Sequence, residues 1–213
     1  IMKKIISGGT GEFTDKKSRF IANIYHIEDE DMAVKIIEQL RKKYWDARHN
    51  CYAYVLGDKS EIQRFSDDGE PSGTAGKPIL EVITGNECGN CLCVVTRYFG
   101  GVLLGTGGLI RAYTNAAKDA LSACRIGELT EGVHAFLDVD YNYVGKVQYI
   151  CAQNDITIVN TEYADGVTFE LMMENAARNI LEKNMTEMSS GKIYLRDICS
   201  MQMYRDDIGK LCR

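Results

Sequence analysis

The sequence lacks any apolar run of the ~18 residues that a membrane-spanning helix needs. Its amino-terminal residues, IMKKIISGG, have a basic start but no apolar stretch long enough for a secretory signal. The eight cysteines are scattered and most stand among apolar residues, unlike the disulfide framework of a small secreted domain. These absences predict a cytoplasmic protein with reduced thiols and no membrane partner.

A complete set of zinc ligands is also missing. Cys88 and Cys91 have metal-ligand spacing and Cys93 follows closely, but a zinc site needs four ligands. No second cysteine pair or histidine pair stands at a suitable distance. The sequence therefore predicts no metal at these cysteines.

A large positive charge is missing as well. The chain carries 25 Lys and Arg against 30 Asp and Glu, which gives a formal net charge of −5. Residues 1–125 contribute +1 of this charge and residues 126–213 contribute −6. Because an acidic second half cannot coat a duplex through counterion release, any contact with RNA is expected on the first half.

The sequence does contain enough apolar material for two folded domains, with 213 residues of which 45% are hydrophobic and 26% are charged. We predict an α+β protein with domains at residues 1–126 and 127–213. In the first domain, β-branched and aromatic runs predict strands, and apolar residues at helical spacing predict helices. The expected strands are residues 18–26, 50–56, 61–66 and 91–99, and the expected helices are residues 28–44, 78–84 and 105–121.

The second domain has the pattern strand, helix, strand, strand, helix, strand, which is that of a ferredoxin-like domain. The turn Ala164-Asp165-Gly166 predicts a hairpin, and Asn175 is expected to cap the second helix. No catalytic pattern is found here, so we expect an interaction or packing module. The predicted strands are residues 133–139, 156–163, 167–173 and 193–203, and the predicted helices lie near residues 144–151 and 175–188.

The first segment that could carry chemistry is FSDDGEPSGTAGKP, residues 65–78. Its glycines let the backbone approach a ligand closely. Three carboxylates within four residues could hold magnesium through oxygen, and no other cofactor is predicted. The alternative is a solvated turn whose side chains bond their own backbone. The polar side chains concerned are Asp67, Asp68, Glu70, Ser72, Thr74 and Lys77.

The second segment is VVTRYFGGVLLGTGGLIRAY, residues 94–113, in which a buried strand leads through a loop to the start of a helix. Free N–H groups and the positive end of the helix dipole favour an anion such as phosphate, which Arg97 and Arg111 could also bind. The segment is not a P-loop, and Ile110 replaces the third glycine of a dinucleotide fingerprint. The residues at the helix start are Gly105, Thr106, Gly107 and Gly108.

Two further pairs of residues each allow a functional and a structural interpretation. Tyr98 and Phe99 are either buried strand aromatics or a stacking surface for a base. His49 and Cys51 share one face of a strand and could form a thiol–imidazole dyad. A hydrogen-bonded histidine beside a buried cysteine is the alternative.

Four strings in this sequence resemble the IMPACT/YigZ family in order and spacing. They are KSRF at residues 17–20, ARHNCYAY at 47–54, SDDGEPSGTAGKPIL at 66–80 and VTRYFGGVLLGTGGLIRAY at 95–113. The pattern of the second domain resembles the carboxy-terminal domain of the bacterial members, so the resemblance covers nearly the whole chain. The cysteine cluster lies outside the family pattern.

The resemblance implies a first domain like the second domain of small-subunit ribosomal protein five. It implies a second domain like the ferredoxin-like domains of elongation factor G. Eukaryotic relatives regulate translation by engaging the stress-signalling machinery that controls initiation, and they do so with an additional RWD domain. Sixteen residues precede Lys17, so we expect a bacterial-type member without that domain.

The leading hypothesis is a non-catalytic, translation-associated protein, a monomer or weak dimer, that binds RNA or the ribosome. Lys77, Arg97, Arg111 and residues 105–108 would hold RNA phosphate, and the polar cluster at residues 67–74 with His49 would support that surface. The alternative is a magnesium-dependent enzyme or nucleotide-binding protein that acts on a small phosphorylated ligand.

Overall fold

The computed structural model describes residues 3–57, 59–206 and 209–212. The chain divides after Gly127 into two compact units, each with its own core. Both units combine helices with β-sheet, so the predicted α+β class is confirmed. None of the helices in the described part of the chain has the length and apolar character that crossing a membrane requires.

The first unit is built on a five-stranded antiparallel sheet. Its elements are β1 (Lys3–Ser7), β2 (Thr10–Asp15), β3 (Ser18–His26), α1 (Glu30–Lys43), β4 (His49–Leu56), β5 (Ile62–Ser66), α2 (Gly76–Gly85), β6 (Cys88–Gly89), β7 (Cys91–Tyr98) and α3 (Thr106–Ser122). The strand order in the sheet is β2-β3-β7-β4-β5. Strands β1 and β6 lie outside this sheet and pair in parallel.

Helices cover both faces of the sheet around β7. Cys93 and Val95 of β7 point to the core that contains α2 and α3, whereas Leu92 and Val94 point to the core that contains α1. A strand alternates its side chains between two faces, so burial of both faces explains the continuous apolar sequence of β7. The strand ends at Tyr98, where the apolar run meets Gly100.

Helix α1 begins and ends as its charges predict. The side chain of Asp29 caps it by accepting a hydrogen bond from the backbone N–H of Met32 at 2.7 Å. Acidic side chains occupy the first turn and basic side chains the last, which favours the helix dipole at both ends.

The second unit has the predicted order of strands and helices, with a short 3-10 helix and a final strand in addition, and its first strand begins three residues before the division. The elements are β8 (Arg125–Val139), a short 3-10 helix (Tyr141–Tyr143), α4 (Val144–Gln153), β9 (Thr157–Tyr163), β10 (Val167–Glu174), α5 (Asn175–Ser189), β11 (Leu195–Asp206) and β12 (Leu211–Cys212). The strand order within this unit is β9-β10-β8-β11-β12. One apolar core joins α4 and α5 to the sheet.

Strand β2 is not predicted from the sequence, and one expectation about helix capping is wrong. The sequence does not predict β2, because its alternation is weak and Gly11 interrupts it; this glycine lets β2 pass close to α3, where an added Cβ would lie 2.2 Å from the backbone nitrogen of Ala120. Asn175 is not a helix cap, since it is the first residue of α5 and Glu174 occupies the cap position without a side-chain hydrogen bond. The likenesses to ribosomal protein five and to ferredoxin-like domains stay predictions.

Candidate functional site

A cavity of about 460 Å³ opens in the first unit between the end of β7 and the start of α3. We call it the β7–α3 cavity. Antiparallel pairing of β4 with β7 sets His49 opposite Arg97, so the two strands deliver both side chains to the same end of the sheet. The wall consists of Arg48, His49, Glu70, Pro71, Arg97, Phe99, Leu103, Leu104, Gly105, Thr106 and Leu109.

The amino terminus of α3 forms one side of this cavity. Gly105 occupies the cap position with φ of 73°, a conformation that favours glycine, and no side chain caps the helix. Thr106 and Gly107 are exposed, whereas Gly108 is buried against the protein. The first backbone N–H groups of a helix have no partner within it, and the dipole there is positive. This side of the cavity therefore attracts anions.

Arg97 forms the floor of the cavity. Its side chain is only 7% exposed, and its Nη1 donates to Oε1 of Glu70 at 2.6 Å. The guanidinium also lies 5.4 Å from the ring centre of Phe20 and 5.6 Å from that of Phe99. Its Nε is buried and has no hydrogen-bond partner among the described atoms. Arg97 is thus fixed in place by one nitrogen and by two rings, with a donor left unused.

A buried hydrogen-bond chain continues behind Glu70. The hydroxyl of Tyr113 donates to Oε1 of Glu70 at 2.8 Å, and Sγ of Cys51 lies 3.3 Å from the same hydroxyl. Burial raises the pKa of Tyr113 far above its ordinary value, with the Cys51 thiol and Glu70 adding to the effect. Tyr113 therefore keeps its proton and serves as a permanent donor to Glu70.

Asp67 stabilises the backbone of its own segment and does not line the cavity. Its carboxylate accepts hydrogen bonds from the backbone N–H groups of Gly73, Ala75 and Gly76 at 2.8, 3.0 and 2.8 Å. Gly76 is the first residue of α2. Asp67 therefore accepts a hydrogen bond from the start of that helix, although the two residues are not close in sequence. Asp67 is absent from the wall of the β7–α3 cavity.

Asp68 has a third set of partners. It accepts from Nη2 of Arg41 at 2.6 Å and from the backbone N–H of Asn50 at 2.7 Å, and thereby ties α1 and β4 to the segment. Asp67, Asp68 and Glu70 thus point to different partners and do not converge. Across the described residues, no three His, Cys, Asp or Glu side chains group as metal ligands would. Magnesium at these acids stays a prediction.

His49 and Cys51 also have separate partners. Nδ1 of His49 lies 2.9 Å from the carbonyl oxygen of Asp68, and its Nε2 lies 4.0 Å from Oε1 of Glu70. Sγ of Cys51 lies 3.0 Å from the carbonyl oxygen of Asp67. Burial raises the pKa of Cys51 well above the ordinary thiol range. The geometry is that of a hydrogen-bonded histidine and a buried, protonated thiol, not of a nucleophilic dyad.

The remaining predicted residues lie around the cavity or outside it. Thr74 is buried, and its hydroxyl donates to the carbonyl of Pro71 at 2.7 Å. Ser72, Lys77 and Arg111 are exposed and do not line the wall. The cavity therefore gathers only part of the predicted surface.

Sequence reasoning missed Arg48. Its guanidinium lies 5.9 Å from the ring centre of Phe99, and no ion pair holds it among the described residues. Arg48 stands next to His49 in a segment already singled out, which is the one signal in the sequence that could have drawn attention to it. Phe99 itself is 41% exposed, which favours the stacking surface over the buried-aromatic interpretation.

The sequence matches two family models. One is the Impact N-terminal domain, over residues 16–121, and the other is a domain of unknown function, DUF1949, over residues 137–192. The IMPACT family member YvyE of Bacillus subtilis (strain 168) is 38% identical over 191 residues, which cover 89% of this chain and 87% of YvyE. The chain belongs to the IMPACT family. YigZ of Escherichia coli (strain K12) is 36% identical over 182 residues, or 84% of this chain and 89% of YigZ.

Two solved structures are similar to this chain. A crystal structure described as that of a hypothetical protein is 34% identical, with a TM-score of 0.58 over 91% of this chain and 95% of that chain. A two-domain translational regulator, Yih1, is 26% identical over 55% of this chain and 46% of its own, with a TM-score of only 0.38. The β7–α3 cavity lies wholly within the residues that match the Impact N-terminal domain.

Proposed function

We propose that this IMPACT family member is a non-catalytic, translation-associated regulator that binds RNA or the ribosome through the β7–α3 cavity and the exposed start of α3. The observation that carries the proposal is the arrangement of Arg48, Arg97 and an uncapped helix start around one cavity. Helix starts and guanidinium groups are the usual protein partners of phosphate. The resemblance to the IMPACT family supplies the setting, since it implies a role in the regulation of translation.

The charges on the cavity wall favour an anion. Glu70 balances Arg97, while Arg48 has no carboxylate partner in the described structure, so the wall carries one net positive charge without counting His49. The dipole of α3 adds to it. Because residues 126–213 carry a charge of −6, the cavity is a local positive site on an acidic protein.

The same geometry supports a binding role over a catalytic one. A nucleophile needs a base within hydrogen-bonding distance, yet Cys51 faces Asp67 and Tyr113 instead of His49. A carboxylate that works on phosphate through magnesium needs partners that converge, and the three acids of this segment do not. The alternative, a magnesium-dependent enzyme or nucleotide-binding protein, is favoured only by the size of the cavity.

Binding of short single-stranded RNA at several salt concentrations tests the proposal. We expect Arg48→Ala and Arg111→Ala to weaken binding and to reduce the slope of log affinity against log salt by about one each. Lys118→Ala is the matched control, because it removes one exposed positive charge from α3 away from its start. Equal affinities and slopes for all three variants and the parent protein would contradict an RNA contact at this site.

We also propose that the second unit is a ferredoxin-like domain and that the first resembles the second domain of small-subunit ribosomal protein five. The strand order β9-β10-β8-β11, with two helices packed on the sheet, supports the first of these likenesses. Residence in the cytoplasm and a monomeric or weakly dimeric state complete the proposal. Sedimentation of the full chain at several concentrations tests the last point.

A further inference from the structure

We propose that the β7–α3 cavity binds a terminal nucleotide, with its phosphomonoester at the start of α3 and its base against the apolar wall. This inference rests on the proposed function and narrows it from RNA in general to the end of the chain. The same chemistry is available from a free nucleoside monophosphate and from an RNA end that carries a phosphate. The experiment below separates the two sources.

The phosphate position is set by two independent features. The first is the uncapped start of α3, where Gly105 and Thr106 line the cavity. The second is the guanidinium of Arg97, which also lines the cavity, is more than nine-tenths buried, and keeps a buried Nε without a partner. A buried donor without a partner is uncommon in folded proteins, and here it belongs to a residue that lines the cavity. Arg48 at the rim supplies the second guanidinium.

The base position is set by the apolar part of the same wall. Phe99 is 41% exposed and Leu103 is 82% exposed, and both line the cavity beside Leu104 and Leu109. An aromatic base stacks on such a ring regardless of its identity. Phe99 already contacts the guanidinium groups of Arg48 and Arg97, so the aromatic surface and the positive charges are adjacent.

The site fits one nucleotide and not a continuous strand. A groove that follows a nucleic-acid backbone presents a row of cations, whereas Arg48 and Arg97 are the only Lys or Arg side chains of the described residues that line this wall. Lys77 and Arg111 are exposed but stand outside the wall. The volume of about 460 Å³ lies within the ~300–1,000 Å³ typical of small-ligand sites. The ligand therefore ends in the cavity.

The experiment compares one RNA decamer in four forms: with a 5′-monophosphate, with a 3′-phosphate, with hydroxyls at both ends, and closed into a circle. Binding to the full chain is followed by fluorescence anisotropy, with adenosine monophosphate and adenosine as competitors. We expect one phosphorylated end to bind about tenfold more tightly than the hydroxyl-ended and circular forms. We expect the monophosphate, and not the nucleoside, to compete.

Three variants test whether the preference for a phosphorylated end arises in the cavity. Arg48→Ala should abolish the preference for the phosphorylated end, because it removes an exposed guanidinium that makes no ion pair among the described residues. Leu103→Ala should weaken all nucleotide binding severalfold without removing the preference, since the side chain is exposed and lies on the apolar side. Lys118→Ala should change neither. Retention of the preference in Arg48→Ala would overturn the inference.

The outcomes for the inference and for the proposed function are distinct. Equal binding of all four RNA forms would leave the proposed function standing and overturn the terminal site. Binding of the free monophosphate without any binding of RNA would support the cavity's chemistry, identify the free nucleotide as its source, and contradict the proposed function. Failure of every ligand to bind would overturn both.

Discussion

Nη1 of Arg97 lies 2.6 Å from Oε1 of Glu70, and both side chains are less than one-tenth exposed. The same oxygen of Glu70 accepts the hydroxyl proton of Tyr113 at 2.8 Å. Two donors from different elements therefore meet on one carboxylate behind the cavity wall. Removing one member of such a buried pair leaves the other charge without compensation.

Arg97→Ala should accordingly destabilise the protein by about 3–5 kcal/mol, because Glu70 would remain buried without its ionic partner. Urea unfolding of the parent and the variant measures the difference. The double variant Arg97→Met with Glu70→Gln should recover most of the loss, since it removes both charges while Tyr113 keeps an acceptor. A loss below about 1 kcal/mol in Arg97→Ala, the range of exposed ion pairs, would contradict the buried-pair account.

Asp67→Ala should destabilise the protein by about 2 kcal/mol, the upper end of the range for loss of a helix cap, since three N–H groups lose their acceptor. The stability of Asp67→Asn should lie between that of Asp67→Ala and that of the parent, because an amide oxygen can still accept from the N–H groups of Ala75 and Gly76. Thermal unfolding with and without magnesium is the measurement. A stabilisation by magnesium in the parent that Asp67→Asn lacks would mean that the carboxylate holds a cation and that the cap is not its main role.

Alkylation should distinguish the buried thiols from the exposed one. Burial raises the pKa values of Cys51, Cys91 and Cys93, and only the thiolate reacts readily. At neutral pH the exposed Cys199 should be labelled first, and the three buried thiols should stay unlabelled until the protein unfolds. Mass spectrometry after brief iodoacetamide treatment measures each site, and Cys199→Ser should remove the fast reaction. Labelling of Cys51 as fast as that of Cys199 would contradict its burial.

Gly100→Ala should destabilise the protein by about 2–3 kcal/mol, because the new methyl group would lie 2.1 Å from the backbone carbonyl carbon of Lys17. Gly85→Ala is the matched control. A Cβ at Gly85 meets no atom within 4 Å, and the residue is at the end of α2. The free energies of unfolding of the two variants make the comparison, and a similar loss for both would show that the close approach at Gly100 does not constrain the fold.

The sequence predicts the main elements of the first unit well where a local pattern of apolar residues is strong. The expected strand at residues 18–26 is β3 without a change of boundary, and α3 begins one residue after the predicted start at Gly105. It fails at β2, whose pairing depends on Gly11 passing close to a helix more than a hundred residues away in sequence. Local patterns carry no information about such an approach.

The segments that line the candidate cavity are ones that the sequence motifs indicate, because glycines and charged residues are concentrated there. The motifs do not show that Asp67, Asp68 and Glu70, which lie within four residues, turn to an α2 helix start, to Arg41 and to Arg97. The tertiary fold decides in which direction each side chain points and therefore which partner it meets. For this reason three carboxylates that are neighbours in sequence suggest one cluster, whereas the structure has three separate contacts.

Those three contacts hold residues 67–70 in place although the segment has no regular secondary structure. Each acid joins the backbone to a different element, so opening the whole segment breaks all three contacts. The amide protons of Asp68 and Glu70 are hydrogen-bonded, to Oγ of Ser66 and to the carbonyl oxygen of Asp67, and should exchange more slowly than that of the exposed Gly69. A ligand that enters the β7–α3 cavity therefore meets a preorganised wall, and no free energy is spent on ordering a loop around it.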